Sequence, residues 1–413
     1  MKKDILIITY KFPPMGGIGT RRWVKFAKYL DRVGYKVHIL TAKYDYEDKI
    51  NWRNDISDEI KIYKFKTKYP LLLLSESTNN ITKQFKRYSN FILNKIFFYL
   101  DIAQYDAKDI LSDAKKIISE NNISNVIATG HPVSINYIST YLKIDNPNLN
   151  LIQDFRDNWN DLSDYHYPNG LKFFFQKENS VYKEFITTYY SDVIINVSDD
   201  LTNMMKSRYK SIENKFITIS NGYDIDDFKK ECKNDNSKFN IIYTGSLYNQ
   251  RIEAINLILD AILELNDEFI NTNLQIVLYT NFDSNDLDVK YKTLVNNIII
   301  FKPFVNPSSI HSIISNFRYC LSINSKFASY AFGTKIFDYM VLDKKILHIS
   351  NGGSLYELLD AQNQFVCDYK VENMKKNLLN IKKDYLEVTS NNAVDYNDFS
   401  LNSLTLNLEK YFE

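Results

Sequence analysis

Little cysteine and no long apolar run limit what this chain of 413 residues can be. Its three cysteines, Cys232, Cys320 and Cys367, have no paired spacing, so we expect neither a disulfide framework nor a zinc site. No apolar run reaches the roughly 20 residues that cross a bilayer. The first residues, Met-Lys-Lys-Asp, lead into a short apolar strand rather than a signal sequence. These absences predict a cytoplasmic protein in a reducing compartment.

An excess of either charge is also lacking. The 51 basic and 50 acidic residues give a formal net charge of +1, so we expect no nucleic-acid partner. Glycine and proline are scarce, at 11 and 8 residues, while 45% of the residues are hydrophobic. The chain can therefore bury large cores, and its length predicts two domains of about 200 residues each.

The balanced charge hides one basic stretch, an insertion over about residues 61–100. It holds eight Lys and Arg residues against one acidic residue, Glu76, among many aromatic and aliphatic side chains. This mixture is typical of a helix on an anionic membrane surface, which predicts peripheral contact with the inner face of the cell membrane. It is equally typical of a core helix with a solvated basic face, and amphipathicity alone does not separate the two.

Short apolar runs rich in β-branched residues alternate with helix-length segments. Buried parallel strands have this pattern, and the helices between them mark βαβ units. Seven runs lie in the first half: Ile5–Thr9, Lys36–Thr41, Ile60–Phe65, Asn125–Thr129, Leu149–Gln153, Val193–Val197 and Phe216–Ser220. Six lie in the second half: Phe239–Thr244, Leu274–Tyr279, Ile298–Lys302, Tyr319–Ile323, Lys345–Ile349 and Phe365–Asp368. The pattern predicts two α/β sheets, each with helices between its strands.

The domain boundaries follow from the polar stretch 229–238, which is rich in Lys, Asp and Asn and is interpreted as a linker. We predict an N-terminal domain over residues 1–228, which includes the insertion, and a C-terminal domain over residues 239–395. Residues 396–413 have a mixed amphipathic pattern, for which we expect a C-terminal helix.

A turn rich in proline and glycine, Tyr10-Lys-Phe-Pro-Pro-Met-Gly-Gly-Ile-Gly-Thr-Arg-Arg22, separates the first strand from an amphipathic helix. We expect Thr20 to cap that helix, and the amides of Gly16 and Gly17 to favour an anion at its positive end. The turn lacks the G-x-G-x-x-G spacing, which argues against a nicotinamide cofactor. The alternative is a tight turn without a ligand.

Two polar motifs also follow strands of the first half. Asp154-Phe-Arg-Asp-Asn-Trp159 comes after the fifth strand, and His131 comes just after the fourth. Open α/β sheets bind ligands at the carboxyl ends of their strands. We therefore expect both carboxylates of the motif, its guanidinium, its indole and His131 to face a ligand. For His131 the alternative is an ordinary residue at a helix entry.

A glycine turn follows the first strand of the second half. There Gly245 comes after the strand and Arg251 lies near the start of the next helix. A guanidinium suits a diphosphate through bidentate hydrogen bonds. A solvated surface arginine is the alternative.

A second glycine turn, in Tyr330-Ala-Phe-Gly-Thr-Lys-Ile-Phe-Asp-Tyr-Met340, leads into a helix that carries Lys335 and Asp338. Backbone amides at a helix start and a nearby ammonium suit a phosphorylated sugar. Two such turns, one in each half, predict a ligand held between two domains.

The order and spacing of these motifs resemble the retaining glycosyltransferases of the GT-B fold, specifically glycosyltransferase family 4 and its bacterial surface-polysaccharide members. The resemblance covers almost the whole chain. It rests on Pro13–Gly17, Asp154–Trp159, Ser220–Asp224, Tyr243–Leu247 and Gly333–Tyr339. It implies two Rossmann-like, doubly wound parallel-sheet domains facing a cleft, with the acceptor in the N-terminal domain and a nucleotide sugar in the C-terminal domain.

The resemblance also assigns donor-side roles. Arg251 and Lys335 would neutralise the donor diphosphate as the leaving nucleoside diphosphate gains charge, which stabilises the transition state. No metal and no cofactor is expected. Two glutamates of the family, seven residues apart, correspond here to Tyr330 and Asp338; Asp338 can still accept hydrogen bonds from a ribose. The other donor-binding residues are Gly16, Gly17, Gly245, Phe304, Val305, Gly333 and Thr334, of which Phe304 and Val305 would hold the nucleobase.

On the acceptor side, His131 and Asp157 are expected to contact the reacting sugar or the acceptor by hydrogen bonds, with Arg156 and Trp159 nearby. The resemblance predicts a transferase that moves a sugar with retention onto a glycan, lipid-linked, for a surface polysaccharide such as lipopolysaccharide or capsule. Two alternatives keep the fold: a nucleotide-sugar 2-epimerase, and a non-catalytic sugar-nucleotide-binding partner.

Overall fold

A computed structural model describes residues 3–43, 52–68, 85, 101–160, 171–228, 238–247, 250–305, 307–387 and 396–413. Most of the basic insertion, from residue 69 to residue 100 apart from Phe85, lies outside these residues. So does the interpreted linker up to residue 237.

The chain forms two compact units. The first consists of Met1–Val197, Leu201–Ile219 and Leu404–Glu413, and the second of Ser198–Asp200 and Ser220–Ser403. The end of the chain thus belongs to the same unit as its beginning.

The first unit is built on a seven-stranded, fully parallel sheet in the order β3-β2-β1-β4-β5-β6-β7. The strands are β1 Asp4–Thr9, β2 Lys36–Ala42, β3 Lys61–Phe65, β4 Asn125–Thr129, β5 Asn150–Phe155, β6 Val193–Asn196 and β7 Phe216–Thr218. The chain starts in the middle at β1, winds outward to β3, returns to β4 beside β1 and winds outward to β7. The sheet is therefore doubly wound, with its switch point between β1 and β4.

The second unit repeats this plan with six parallel strands in the order β10-β9-β8-β11-β12-β13. The strands are β8 Asn240–Thr244, β9 Gln275–Tyr279, β10 Ile299–Lys302, β11 Tyr319–Ile323, β12 Lys345–Ile349 and β13 Phe365–Cys367. Its switch point lies between β8 and β11.

Helices connect the strands. In chain order they are α1 Ile18–Arg32, α2 Ala107–Asn121, α3 Ser134–Asp145, α4 Leu171–Tyr190, α5 Asp199–Arg208, α6 Gln250–Leu265, α7 Glu268–Asn273, α8 Pro307–Ile314, α9 Lys335–Val341, α10 Ser354–Ala361, α11 Val371–Glu387 and α12 Leu401–Glu409. Their apolar stripes explain their packing: on α1, Trp23, Ala27 and Leu30 recur at helical spacing and are all buried. Among the described helices, none is both long and apolar enough to cross a bilayer.

Both sheets are buried by apolar side chains. In β1, Ile5 to Ile8 have no exposed surface. In the second unit, alternate residues of β12 serve different cores: Leu347 and Ile349 pack in one cluster, and Ile346 in another. All thirteen predicted strands are present, each within two residues of its predicted bounds. The predicted pair of doubly wound α/β sheets is thereby confirmed.

The last residues are held by the first unit. The amide of Glu413 donates to Oδ1 of Asn125 at 3.0 Å, and Nδ2 of Asn125 donates back to the Glu413 carbonyl at 3.0 Å. Asn150 Nδ2 donates to the carbonyl of Tyr411 at 2.8 Å. These bonds fix the C-terminus at the amino ends of β4 and β5, the end of the sheet opposite to the sequence motifs.

Candidate functional site

The glycine turn of the first unit lies at the carboxyl end of β1, beside the switch point. Gly17 is the residue before α1, and its φ of +88° favours glycine. A Cβ built on Gly17 would have no atom within 4 Å, so there is open space at the helix start. Thr20 lies within the first turn and donates to the Gly17 carbonyl, from N at 3.1 Å and from Oγ1 at 2.9 Å. The expectation that Thr20 caps α1 is therefore wrong; no side chain caps this helix.

Asp154, at the end of β5, faces the interior of the first unit. Its buried carboxylate accepts hydrogen bonds from Arg22 Nη2 at 3.0 Å, Trp23 Nε1 at 2.6 Å and Thr129 Oγ1 at 2.8 Å. These donors come from α1 and β4. The expectation that both carboxylates of the motif face a ligand is wrong for Asp154, because a fully buried carboxylate needs protein partners.

The guanidinium and the indole of the same motif are also used within the unit. Arg156 Nη1 donates to the carbonyl of Gly19 at 2.6 Å, in the first turn of α1. Trp159 Nε1 donates to Ser180 Oγ on α4 at 3.1 Å, and its ring meets Phe155 edge-on. These bonds join the loop after β5 to the helix that follows the glycine turn and to α4. The predicted acceptor-side residues Arg156 and Trp159 are therefore each held by a hydrogen bond within the first unit.

His131 and Asp157 are brought together by the loops after β4 and β5. Nε2 of His131 lies 3.2 Å from Oδ2 of Asp157, and 44% and 61% of the two side chains are exposed. Loss of water around the carboxyl raises the pKa of Asp157, but the hydrogen bond and charge of His131 outweigh this and hold the pKa below its usual range. The pair is accessible to a ligand and can donate or accept hydrogen bonds.

Asp101, which interacts with His131, and Lys183, which interacts with Asp101, escaped the sequence analysis. Burial raises the pKa of Asp101, whose carboxylate accepts bonds from the amides of Ala103 and Ser134 and interacts electrostatically with His131. Burial lowers the pKa of Lys183, on α4, to about 8, against the opposing charge of Asp101. Asp101 adjoins the basic insertion, far from the other motifs in sequence, so no local pattern indicates its place.

In the second unit, the two glycine turns meet at the switch point. Gly245 follows β8 at φ +148°, and its amide donates to the Tyr279 carbonyl at 2.8 Å. Lys335, the first residue of α9, points back onto it: a Cβ on Gly245 would lie 1.8 Å from Lys335 Nζ. The ammonium also lies 5.1 Å from the centre of the Tyr243 ring, a cation–π distance.

Two further charges act on Lys335. Burial and the charge of Arg251, near the start of α6, lower the pKa of Lys335 to about 7, while Asp338 opposes this shift. Asp338 lies one turn along α9, with Oδ1 3.7 Å from Nε2 of His311. His311, on α8, stacks on Phe228 at 4.2 Å and was not predicted from sequence. Arg251 and Asp338 thus act on Lys335 in opposite directions, and His311 lies near Asp338.

Of the other predicted donor residues, Gly333 and Thr334 directly precede Lys335, whereas Phe304 and Val305 lie in the loop after β10. Gly333 is exposed, with no atom within 4 Å of a built Cβ, and Thr334 precedes α9 without capping it. Phe304 and Val305 follow β10, and 52% of Phe304 is exposed. Backbone amides at Gly333 and Thr334 are thus placed at the start of the helix that carries Lys335.

Comparisons with known proteins give no sequence relative. No sequence model of a protein family matches the chain. No curated protein matches it either.

Solved structures, in contrast, match over the full length. Sucrose-phosphate synthase from Thermosynechococcus elongatus has a TM-score of 0.65 at 11% identity, covering 99% of this chain and 98% of that one. WaaG, a glycosyltransferase involved in lipopolysaccharide biosynthesis, has a TM-score of 0.57 at 13% identity, covering 99% of each chain. A putative UDP-N-acetylglucosamine 2-epimerase from Listeria monocytogenes has a TM-score of 0.54 at 10% identity, covering 99% and 95%. The chain therefore has the two-domain α/β fold of GT-B glycosyltransferases, a fold that enzymes of another class share.

Proposed function

We propose that the protein is a glycosyltransferase of family 4 type, which transfers a sugar with retention, and without a metal, from a nucleoside-diphosphate sugar to a glycan. The observation that carries this proposal is the seat of Lys335 on Gly245 beside Arg251, at the switch point of the second sheet. The charge of Arg251 disfavours the ammonium form of Lys335, so an anion bound beside both residues lowers the energy of the site. A diphosphate, with its two negative charges, is an anion of this kind.

In this proposal, the second unit stabilises the negative charge that develops when the bond between the sugar and the diphosphate breaks. When the bond between the anomeric carbon and the diphosphate oxygen breaks, the leaving nucleoside diphosphate gains one negative charge. Lys335 and Arg251 stabilise that charge more strongly than the charge of the intact donor, so they act on the transition state. Asp338 is assigned to a ribose hydroxyl, and Phe304 with Val305 to the nucleobase.

The first unit supplies the acceptor side. The accessible pair His131 and Asp157 is assigned to the reacting sugar and the acceptor hydroxyl, through hydrogen bonds. The open helix start at Gly16 and Gly17 is assigned to an anionic group of the donor. The acceptor is a lipid-linked glycan at the inner face of the cell membrane, in the biosynthesis of a surface polysaccharide such as lipopolysaccharide or capsule.

A 2-epimerase is the second candidate, favoured by one observation. Such a reaction needs several acid and base groups, and the structure adds Asp101, which interacts with His131, and Lys183, which interacts with Asp101. Solved structures titled as 2-epimerases also share the fold. A non-catalytic sugar-nucleotide-binding partner is the third candidate, because Tyr330 replaces a family glutamate.

One assay separates the three. The protein is incubated with a panel of nucleotide sugars, with and without a mixed glycolipid acceptor and with EDTA, and the products are identified by mass spectrometry and sugar analysis. We expect a nucleoside diphosphate and an extended glycan only when acceptor is present. A 2-epimer formed from donor alone supports the epimerase and contradicts the transferase. A donor that binds without turnover supports the non-catalytic partner.

A further inference from the structure

The ammonium of Lys335 occupies a niche that only a glycine leaves open. Any side chain at position 245 would meet it, since a Cβ there lies 1.8 Å from Nζ and 3.2 Å from Cε. The Tyr243 ring forms a second wall. Among the residues that the structure describes, Lys335 Nζ has neither a hydrogen bond nor an ion pair. Lys335 is only partly exposed, so the niche holds its charge with little water and few protein groups to stabilise it.

Among the described residues, several charged and titratable groups act on Lys335 or on its neighbours Tyr243 and Arg251. They are Tyr243 on β8, Arg251 and Glu253 on α6, Asp338 on α9 and Tyr369 after β13. Glu253 is engaged by Lys326 at 2.6 Å, and the Tyr369 hydroxyl donates to the Asn324 carbonyl at 2.6 Å. Arg251 and Asp338 are the two that act on Lys335 itself, in opposite directions.

Burial and the adjacent guanidinium both disfavour the charged form of Lys335. Together they lower its pKa to about 7, although Asp338 raises it. Near neutral pH, roughly half of the free protein therefore carries a neutral amine at this position. A ligand with two negative charges, bound beside Lys335 and Arg251, favours the ammonium form of Lys335 and therefore raises its pKa.

We propose that this site takes up its diphosphate together with one proton, so that Lys335 is a proton-linked switch of donor affinity rather than a permanent cation. The proposal rests on the proposed function for the identity of the ligand. Its consequence is that donor affinity falls as pH rises above neutrality. The apparent Kd rises roughly 50-fold between about pH 7 and about pH 9, with a slope that approaches about tenfold per pH unit at the upper end.

The first test uses the free protein and needs no nucleotide. Acetic anhydride acylates neutral amines, and peptide mapping by mass spectrometry gives the extent at each lysine as a function of pH. We expect Lys335 to titrate with a midpoint near 7. Lys375 is the internal control, because its hydrogen bond to Glu372 raises its pKa above that of an ordinary lysine. Arg251→Met should move the Lys335 midpoint upward by removing the adjacent charge; a midpoint near 10 in the unsubstituted protein overturns the proposal.

The second test measures the proton directly. The probes are UDP-glucose, GDP-mannose and dTDP-glucose, whose diphosphate diesters do not titrate near neutral pH. Calorimetry with the probe that binds is performed in two buffers with different ionisation enthalpies. We expect uptake of about half a proton at about pH 7, rising to nearly one at about pH 8.5. Lys335→Arg keeps a permanent cation at this position, so it should bind the probe without proton uptake, and Lys375→Met should retain the uptake.

The outcomes separate the proposal from the function on which it rests. Binding with the same heat in both buffers and the same Kd at about pH 7 and about pH 9 overturns the proton linkage and leaves the donor site standing. No binding by any nucleotide sugar contradicts the proposed function and the linkage together. Binding with proton uptake that survives in Lys335→Arg overturns the proposal and leaves the donor site standing.

Discussion

Trp23 Nε1 on α1 donates a hydrogen bond of 2.6 Å to Oδ2 of Asp154 at the end of β5. Both residues are buried, and Arg22 bonds the other oxygen of the same carboxylate. One acidic residue thus fixes the helix that follows the glycine turn against the sheet. Three residues further on, Asp157 faces solvent beside His131. The two carboxylates of one short motif therefore have opposite roles, one structural and one accessible.

Removing the charge of Asp154 should destabilise the first unit. In Asp154→Asn the buried guanidinium of Arg22 loses its counter-ion, so we expect the free energy of unfolding to fall by about 3 kcal/mol. Urea denaturation followed by circular dichroism measures this. Asp157→Asn is the matched control: its carboxylate is exposed, and we expect a change of less than about 1 kcal/mol. Equal effects of the two substitutions would contradict the assignment of Asp154 to the interior.

Gly245→Ala should abolish donor binding. The new methyl would occupy the place of Lys335 Nζ, and the φ of +148° is unfavourable for alanine, so the ammonium must leave its niche. We expect an increase in the Kd for the nucleotide sugar of at least roughly 100-fold, measured by calorimetry. Lys375→Met is the control, because Lys375 pairs with Glu264 and Glu372 rather than with a donor-site residue, and it should bind as the unsubstituted protein does. Tight binding by Gly245→Ala would show that the seat of Lys335 is not needed.

His131 and Asp157 should affect turnover more than binding of the donor. Their side chains are exposed, so His131→Asn and Asp157→Asn leave the fold intact, while each loses a hydrogen bond to the reacting groups. We expect kcat to fall roughly 10-fold to 100-fold with little change in donor Kd. Steady-state kinetics and calorimetry on the same preparations test this. A kcat that is unchanged in both variants would remove the pair from the site.

His348, on β12, should make the second unit acid-sensitive. It is fully buried, and burial lowers its pKa from 6.5 to about 4. Between these values the unfolded chain binds a proton that the folded chain does not, so stability falls as pH is lowered from about 6.5 to about 4. The loss from this residue is about 3 kcal/mol.

The measurement is a series of urea denaturations across that pH range. His348→Gln does not titrate, so its loss of stability over the same range should be smaller by about 3 kcal/mol, although it is less stable at neutral pH. Identical pH dependence in both proteins would show that the pKa of His348 is the same in the folded and the unfolded chain, and would contradict the lowered pKa.

The sheets were predictable because buried parallel strands are continuous apolar runs with little ambiguity. Ile5–Thr9 and Lys345–Ile349 are of this kind, and both form strands. Prediction failed for polar side chains that can either face a ligand or be buried against hydrogen-bond donors of the protein. Asp154 and Asp157 have the same side chain in the same motif, and only the donors on α1 and β4 decide that Asp154 turns inward. Trp23 lies 131 residues from Asp154 in sequence, and Thr129 lies 25 residues from it.

For the candidate site, the structure shows which predicted residues lie together, and their roles stay predictions. Gly245 and Lys335 were assigned to one function from separate motifs, and the structure places them in contact. Asp101 and His311 were missed, because their importance comes only from what lies beside them, namely His131 and Asp338. The cap expected of Thr20 failed because its hydroxyl bonds the carbonyl of Gly17 instead of a free amide.

The most direct test of the central claim, a nucleoside-diphosphate site at Lys335 and Arg251, is a thermal-shift panel of UDP, GDP, dTDP, ADP and CMP without metal. A ligand that binds only the folded protein raises the melting temperature, by several degrees at a large excess over Kd. We expect one of the nucleoside diphosphates to stabilise the protein, and Lys335→Ala and Arg251→Ala to lose that stabilisation while melting as unsubstituted protein does without ligand. No stabilisation by any nucleotide, or equal stabilisation of both variants, would contradict the account.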